Sequence, residues 1–553
     1  MYILGINNGG ESSVVLFKNN KVLLASSEER FSRIKNDTSF PINSLKWILK
    51  EAKISKKDIK IVCYGFTDPE SKIKNLSLVF NRMNEYNNKE KKIILERIST
   101  EKKIDDFKYQ EFINYFNKFF KYSKLEIFNH HECHIASALF FSKFDKSYVI
   151  TADGRGDFKS LTFNEAKGFE IKEIYHSFSW ESLGYFYGRI TKLCGFIPNR
   201  HEGKVTGLSA HGNSKKGMRF VNKMIEFKRC KIRTKLGDYY LPFFSNFSKK
   251  LTDSSKKYKI KDIAAAAQLL LEKIVIKILR SKKEKKNICL AGGVFSNVRL
   301  NQKIYMQSNI KEIFIFPNMG DGGISFGAVA NFLKKKKKLP VLKNYYLGKK
   351  ISKKKLLSLS KKYKCNLYKP KNIFLEVSKL ILKKKIIGIC HGRAEFGPRA
   401  LGNRSIICLA NNTFLLKKLN SRLKRNDFMP FGPIIISYLA DKCLKNFKKN
   451  ISSRHMTLTY YASDYLKKES PGIIHIDGTI RPQIVYKNDN LFLYNLLDKL
   501  YKKYSIPCLV NTSFNVHEMP IVNSELDALS CLKQKAIDFI VSEDILISLN
   551  KNK

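Results

Sequence analysis

The sequence predicts an α/β protein of two domains. A chain of 553 residues exceeds the usual single domain. Short apolar strand-like runs are interspersed with longer helix-compatible stretches along it. A strand–glycine turn–strand plan also occurs twice in the first 180 residues.

In its first occurrence Tyr2–Ile6 reads as a strand, Asn7-Asn8-Gly9-Gly10 as a turn, Ser12–Phe17 as a second strand and Val22–Ser26 as a third. In its second, Ser147–Ala152 reads as a strand, Asp153–Asp157 as a turn, and Lys159–Phe163 and Phe169–Tyr175 as strands. The two copies are either an internal repeat, whose glycine turns would offer backbone N–H groups to phosphates, or two unrelated hairpins. Pro41–Ala52 reads as a helix, and residues 70–125 as Lys-rich helix without evident chemistry. Ser179–Gly195 reads as an aromatic helix. His201–Leu208 reads as a glycine-punctuated loop carrying Lys204, and Ile263–Leu279 as a helix. Asn287–Val294 is a strand running into Gly292-Gly293, with Asn297 shortly after; such a turn lets a ligand approach the backbone. No P-loop and no GxGxxG fingerprint accompanies it. Lys334–Lys338 with Pro340 marks the linker, giving a domain over 1–340 and another over 346–553.

Composition narrows the function classes. No run of eighteen apolar residues suggests a membrane span. Met1–Ile6 reads as a first strand rather than a leader. The eleven cysteines form no CxxC pair, as expected of a reduced, cytoplasmic protein. The formal charge of +55 comes from 84 Lys and 19 Arg spread throughout, a solvated surface rather than a nucleic-acid footprint. It would still attract anionic substrates.

Three of the ten histidines fall in His130-His131-Glu132-Cys133-His134, ahead of an apolar, helix-compatible run. On a helix His130 and His134 lie one turn apart on one face and can share a metal ion. The pattern is not a zinc-protease signature, because one residue instead of two separates Glu132 from His134. Asp153 and Asp321, each at the end of a strand-like run before glycine, are the third and fourth candidate ligands. Two imidazoles and two carboxylates suit iron, manganese or zinc. In the second domain Arg393, Arg399 and Arg404 fall within twelve residues, where lysine is otherwise the default cation. Arginine forks bind phosphate or carboxylate bidentately, which points to an anion site; structural pairing with Glu395 is the alternative. Arg425 and Arg481 follow, and Asn511-Thr512-Ser513 ends a strand with polar groups suited to the same anion.

These stretches together resemble one family, the ATP-dependent O-carbamoyltransferases, NodU-like and antibiotic-tailoring. The resemblance is carried in one order by Leu4-Gly5-Ile6, Glu28-Glu29-Arg30-Phe31-Ser32-Arg33, His130–His134, Asp153-Gly154, Lys204–Leu208, Leu290–Val294 and Gly320–Gly323. It continues with Glu395–Ser405, Met429-Pro430-Phe431, His475–Gly478 with Arg481, and Asn511–Asn515. It implies an actin/Hsp70-like ATPase domain, a duplicated RNase H-like (ASKHA) fold, followed by a YrdC-like α/β domain. It further implies that the second domain makes carbamoyl-adenylate from carbamoyl phosphate and ATP with Mg(II). The first would then pass the carbamoyl group to a hydroxyl of a small-molecule acceptor, a sugar or secondary metabolite. By this resemblance His130, His134, Asp153 and Asp321 hold a divalent metal, Fe(II). Lys204, Gly292, Gly293 and Asn297 take the first domain's nucleotide. Arg399, Arg404, Arg425, Arg481, Asn511 and Ser513 take carbamoyl phosphate and ATP, with Arg399 and Arg481 neutralising the growing phosphate charge. Homodimers are plausible in such a family.

The sequence departs from the family where the first turn usually carries His then Asp, a proposed base. Here it carries Gly10-Glu11, so Glu11 or another group must take the proton, or transfer is impaired. The family's Lys-x-Arg-Asp/Glu spacing is not kept at Lys424-Arg425-Asn426-Asp427. The competing readings are a tRNA threonylcarbamoylation-type enzyme and a catalytically impaired nucleotide- or metal-binding relative.

Overall fold

The computed structural model describes residues 1–242, 248–425, 430–516 and 518–550; Asn426, Asp427 and Met429 of the motifs above lie outside them. The chain divides into two compact units: Met1–Leu24 with Asn36–Leu342, and Ala25–Lys35 with Lys343–Lys553.

The first unit carries the duplication. Strands Tyr2–Asn7, Ser13–Lys18, Lys21–Ser27, Ile59–Tyr64 and Lys124–Ile127 form a five-stranded sheet ordered third–second–first–fourth–fifth. Strands Lys146–Gly156, Lys159–Lys167, Glu170–Phe178, Lys286–Ala291 and Ile310–Ile315 form a second sheet in the same order. In each, the first strand pairs antiparallel with the second and parallel with the fourth. Identical order and direction in two sheets is the duplicated RNase H-like plan of the actin/Hsp70 fold, so the two hairpins are a repeat.

The sheets bury apolar faces on two helices. Ile324–Lys335 packs on the first sheet, His130–Ser142 on the second, and the helices pack on each other. The His130–Ser142 helix is buried except at Glu132, which explains its nearly continuous apolar run. Asn129 starts it, its side chain accepting hydrogen bonds from the backbone N–H of His131 and Glu132.

Two local expectations are corrected. Residues 153–156 are not a free turn: the strand runs on to Gly156, and its register shifts between Ala152 and Gly156, so Asp153 sits in a bulge. Residues 202–209 are a helix, not a loop, packed against the Ile260–Leu279 helix; buried Val205 anchors it despite Gly203 and Gly207.

The second unit is a mixed α/β unit around an eight-stranded sheet. Arg404–Leu409 and Cys508–Ser513 lie side by side, with Ser405 opposite Ser513 and Ile407 opposite Asn511. Gly432–Ile436 follows, Gly432 opposite Asn511, and then Gln483–Val485. This register gathers Asn511, Ser513 and the approach to Arg481 at one end of the sheet. Ala25–Lys35 groups with this unit, where a boundary at 340 put it in the first. Arg30 donates to the Gly397 carbonyl, and Arg33 to those of Pro520 and Ile521.

Among the described residues no helix is long and apolar enough to cross a membrane.

Candidate functional site

Two sites emerge, one in each unit. In the first, His130, His134, Asp153 and Asp321 each offer a ligand atom, and these atoms lie within 4.8 Å of one another. The duplicated fold assembles them: one helix supplies both imidazoles, Asp153 sits in the bulge of the Lys146–Gly156 strand, and Asp321 follows the Ile310–Ile315 strand. His134 Nε2 is 3.1 Å from Asp153 Oδ2 and 3.7 Å from Asp321 Oδ1; His130 Nε2 is also 3.7 Å from Asp321 Oδ1. His130 Nδ1–H donates to the Phe66 carbonyl at 2.9 Å, leaving the Nε2 lone pair toward the cluster. That Nε2 is buried with no hydrogen-bond partner. An orphaned imidazole nitrogen facing two carboxylates fits a divalent cation. Electrostatics agree: burial disfavours a charged His134, yet hydrogen bonds and charge from Asp153 and Asp321 outweigh it and raise the imidazole to about 9. Burial likewise opposes a charged Asp321, but His134 and His130 hold its carboxyl well below the usual range. His131 stands apart, its Nδ1 2.8 Å from Thr151 Oγ1.

The turns around this cluster explain their glycines. The Gly10 amide donates to Asp321 Oδ2 at 3.0 Å, and a Cβ at Gly10 would fall 2.5 Å from that oxygen. Glu11 reaches the other side: a Cβ at Gly320 would meet Glu11 Oε2 at 3.1 Å. Gly292 has φ +101° and its missing Cβ would strike the Ala152 carbonyl at 2.2 Å, while the Gly293 amide donates to Asp153 Oδ2 at 3.2 Å. Gly292 and Gly293 therefore border the His–Asp cluster. Asn297 exchanges hydrogen bonds with Gln268 and caps the next helix at Leu300. Lys204 lies on the Glu202–Ser209 helix with Nζ 5.6 Å from the Phe196 ring centre.

Residues 70–125, read as lacking chemistry, supply a buried charged stripe. Arg97, Glu101 and Asp105 recur every fourth residue on the Asn88–Phe120 helix, and all are buried. Asp105 pairs at 2.5 Å with Arg155, which lies two residues beyond Asp153, and at 2.6 Å with Lys72. Asn8 Nδ2 donates to Glu111 Oε2 and to the Lys108 carbonyl of the same helix, both at 2.9 Å. The helix thus buttresses both turns. The spacing of four is the readable signal.

The second unit gathers cations. Burial, then the charges of Arg399 and Arg425, push the Arg481 guanidinium well down. Burial lowers Arg425 to about 10; it donates to Thr512 Oγ1 at 3.0 Å and stacks over Phe431, 4.4 Å from the ring centre. A half-buried guanidinium facing the charges of two further arginines suits an anion. Asn511 is buried; its Nδ2 donates to the Ala400 carbonyl and Gln483 Oε1, and its Oδ1 has no partner. Arg404 has its hydrogen bonds within the loop and its surroundings. It is fully buried and donates to four carbonyls, of His391, Asn403, Lys349 and Gly392, so it braces the loop. Glu395 does the same from the acid side, its Oε1 accepting from the amides of Leu401, Asn403 and Arg404.

Comparison with known proteins gives the family. Residues 2–330 match the family model "Carbamoyltransferase N-terminus" and residues 378–549 match "Carbamoyltransferase C-terminus". An uncharacterized protein of Methanocaldococcus jannaschii, MJ1051, is 34% identical over 99% of this chain and 99% of its own. Nodulation protein NolNO of Sinorhizobium fredii is 26% identical over 97% of this chain and 78% of its own. Among solved structures, component A of the (R)-2-hydroxyglutaryl-CoA dehydratase of Acidaminococcus fermentans covers 61% of this chain and 99% of its own, at 14% identity and a TM-score of 0.34. The fold assignment rests on the duplicated strand order, not on that likeness. With its two family models in sequence and its relatives matched nearly end to end, this chain belongs to the carbamoyltransferase family.

Proposed function

We propose that the protein is an ATP-dependent O-carbamoyltransferase working in two half-reactions. The observation that carries this reading is half-buried Arg481, whose charge is opposed by the cations Arg399 and Arg425, in a chain of this family. In the second unit these arginines hold the phosphate of carbamoyl phosphate and the α-phosphate of ATP, delivered with Mg(II). Carbamate, freed when water takes the phosphate, attacks the α-phosphorus, and pyrophosphate leaves. The guanidiniums neutralise the charge that grows on the phosphoryl oxygens. The unpartnered Asn511 Oδ1 accepts a carbamoyl N–H, and Ser513 adds a hydroxyl.

In the first unit an acceptor hydroxyl, on a sugar or other small metabolite, attacks the carbamoyl carbon, and AMP leaves. Gly10 has no side chain to take the hydroxyl proton, so Glu11 takes it on a carboxylate oxygen. Gly292 and Gly293 let the nucleotide approach the backbone, with Lys204 on the same unit as a phosphate partner. His130, His134, Asp153 and Asp321 hold a divalent metal; two nitrogens and two oxygens suit iron, manganese or zinc, and the family resemblance favours Fe(II). Bound there, such an ion supplies Lewis acidity and an anchor for the nucleotide.

Substitution separates the halves. Arg481→Ala abolishes pyrophosphate release that depends on carbamoyl phosphate. His134→Ala spares that release and blocks transfer. Intact transfer in His134→Ala would remove the metal from the reaction.

A further inference from the structure

We infer that Asp157 is a positioning residue of the metal centre, fixing His130 through both its backbone and its imidazole; this rests on the metal reading above. Asp157 is buried on the hairpin turn that follows Asp153. Its Oδ2 accepts the backbone N–H of His130 at 2.9 Å. Its Oδ1 accepts the Thr67 hydroxyl at 2.8 Å and the Asp68 amide at 3.0 Å. Those two residues adjoin Phe66, whose carbonyl receives the Nδ1–H of the same His130. One carboxylate therefore pins the start of the histidine helix and the loop that sets the histidine's tautomer. Its own carbonyl accepts Asn75 Nδ2 at 3.1 Å, tying in the Pro69–Met83 helix.

The backbone shows that this arrangement is imposed. Asp157 and Phe158 have φ of +46° and +68°, two consecutive non-glycine residues in the left-handed region, held there by the contacts around them. The preceding Gly156 is bare because the imidazole lies on it: a Cβ there would fall 2.2 Å from His130 Cδ2. The turn thus serves as floor and clamp for one ligand while the same strand carries another. An amide cannot replace this carboxylate. Asparagine would face either the His130 or the Asp68 N–H with a donor, breaking one of the two hydrogen bonds.

The test uses Co(II) as probe on the full chain stripped of metal. Asp157→Asn is expected to weaken Co(II) binding by about 10–100-fold and to alter its ligand-field absorption, the usual size for loss of an outer-shell partner. Thr67→Val, which removes one hydrogen bond and keeps the fold's shape, is expected to weaken binding several-fold less. Its result stands alone if Asp157→Asn fails to fold. A merely structural Asp157 would lower the melting temperature and leave affinity and spectrum unchanged in both variants, which would overturn the inference. If the native chain itself bound no Co(II), or His134→Ala bound it equally well, the metal-centre reading would fall and this inference with it.

Discussion

Adding one methyl group at Gly10 should weaken divalent-metal binding at the proposed centre. Gly10 is not among the glycines of positive φ, so alanine meets no backbone penalty there and any effect is one of space. The new Cβ would sit 2.5 Å from Asp321 Oδ2, where ordinary contact begins near 3.4 Å, so the carboxylate must withdraw by about 1 Å. Metal–ligand distances tolerate only about 0.2 Å. The withdrawal also strains the 3.0 Å hydrogen bond from the Gly10 amide to that carboxylate. A charge-assisted hydrogen bond contributes about 1.5–3 kcal/mol, which corresponds to about 10–100-fold in a binding constant. Gly10→Ala is therefore expected to weaken Mn(II) or Co(II) binding by about that factor, measured calorimetrically on metal-free protein, with near-native melting temperature. Binding within about threefold of the native value would refute the reasoning, because it would mean that Asp321 Oδ2 can move without consequence for the site.

Other perturbations probe the second unit. Arg404→Ala removes hydrogen bonds to four carbonyls from a fully buried position and is expected to lower the melting temperature by about 10 °C or prevent folding, whatever ligand is added. A folded, stable variant with raised KM for carbamoyl phosphate alone would instead make Arg404 a substrate ligand. His455 is buried against Tyr345 and beside Arg454; burial first and the Arg454 charge second push it down to about 3. The unfolded chain, with an ordinary value of about 6.5, takes up this proton first as pH falls. The stabilisation from a neutral His455 is therefore complete above about 6.5 and is lost as pH falls toward 3. His455→Asn should flatten the fall of the denaturation midpoint between those limits, and an unchanged slope would exclude the residue. Glu11→Gln should slow transfer to an acceptor without slowing pyrophosphate release; equal loss of both would exclude Glu11 as the base.

Much of the site is legible in the sequence because its signals are local. His130 and His134 need only a helix to share a face, and each aspartate is marked by a glycine beside a strand-like run. The repeat is legible as hairpins, but its meaning requires the parallel fourth and fifth strands, which local pattern does not pair. Arg404 looks the same in sequence whether it donates to carbonyls, as it does here, or holds a phosphate; Glu395, the alternative partner, accepts from amides. The helix over 202–209 is hidden because Gly203 and Gly207 argue for a loop, and packing against Ile260–Leu279 overrides them. Asn297 suits a ligand by its place after a glycine turn, yet a position before a helix is equally that of a cap. The Arg97–Glu101–Asp105 stripe is readable by spacing, but lysine-rich surroundings make it look like a solvated face. The grouping of Ala25–Lys35 with the second unit has no sequence marker, since no linker flanks it.

The central claim is that this chain activates carbamate with ATP. It is tested most directly by pyrophosphate release from the purified protein given ATP, Mg(II) and carbamoyl phosphate, with no acceptor present. Release that requires carbamoyl phosphate, and that vanishes in Arg481→Ala, is the predicted result. Correctly folded protein that releases none would contradict it and leave a family member that binds these ligands without turning them over.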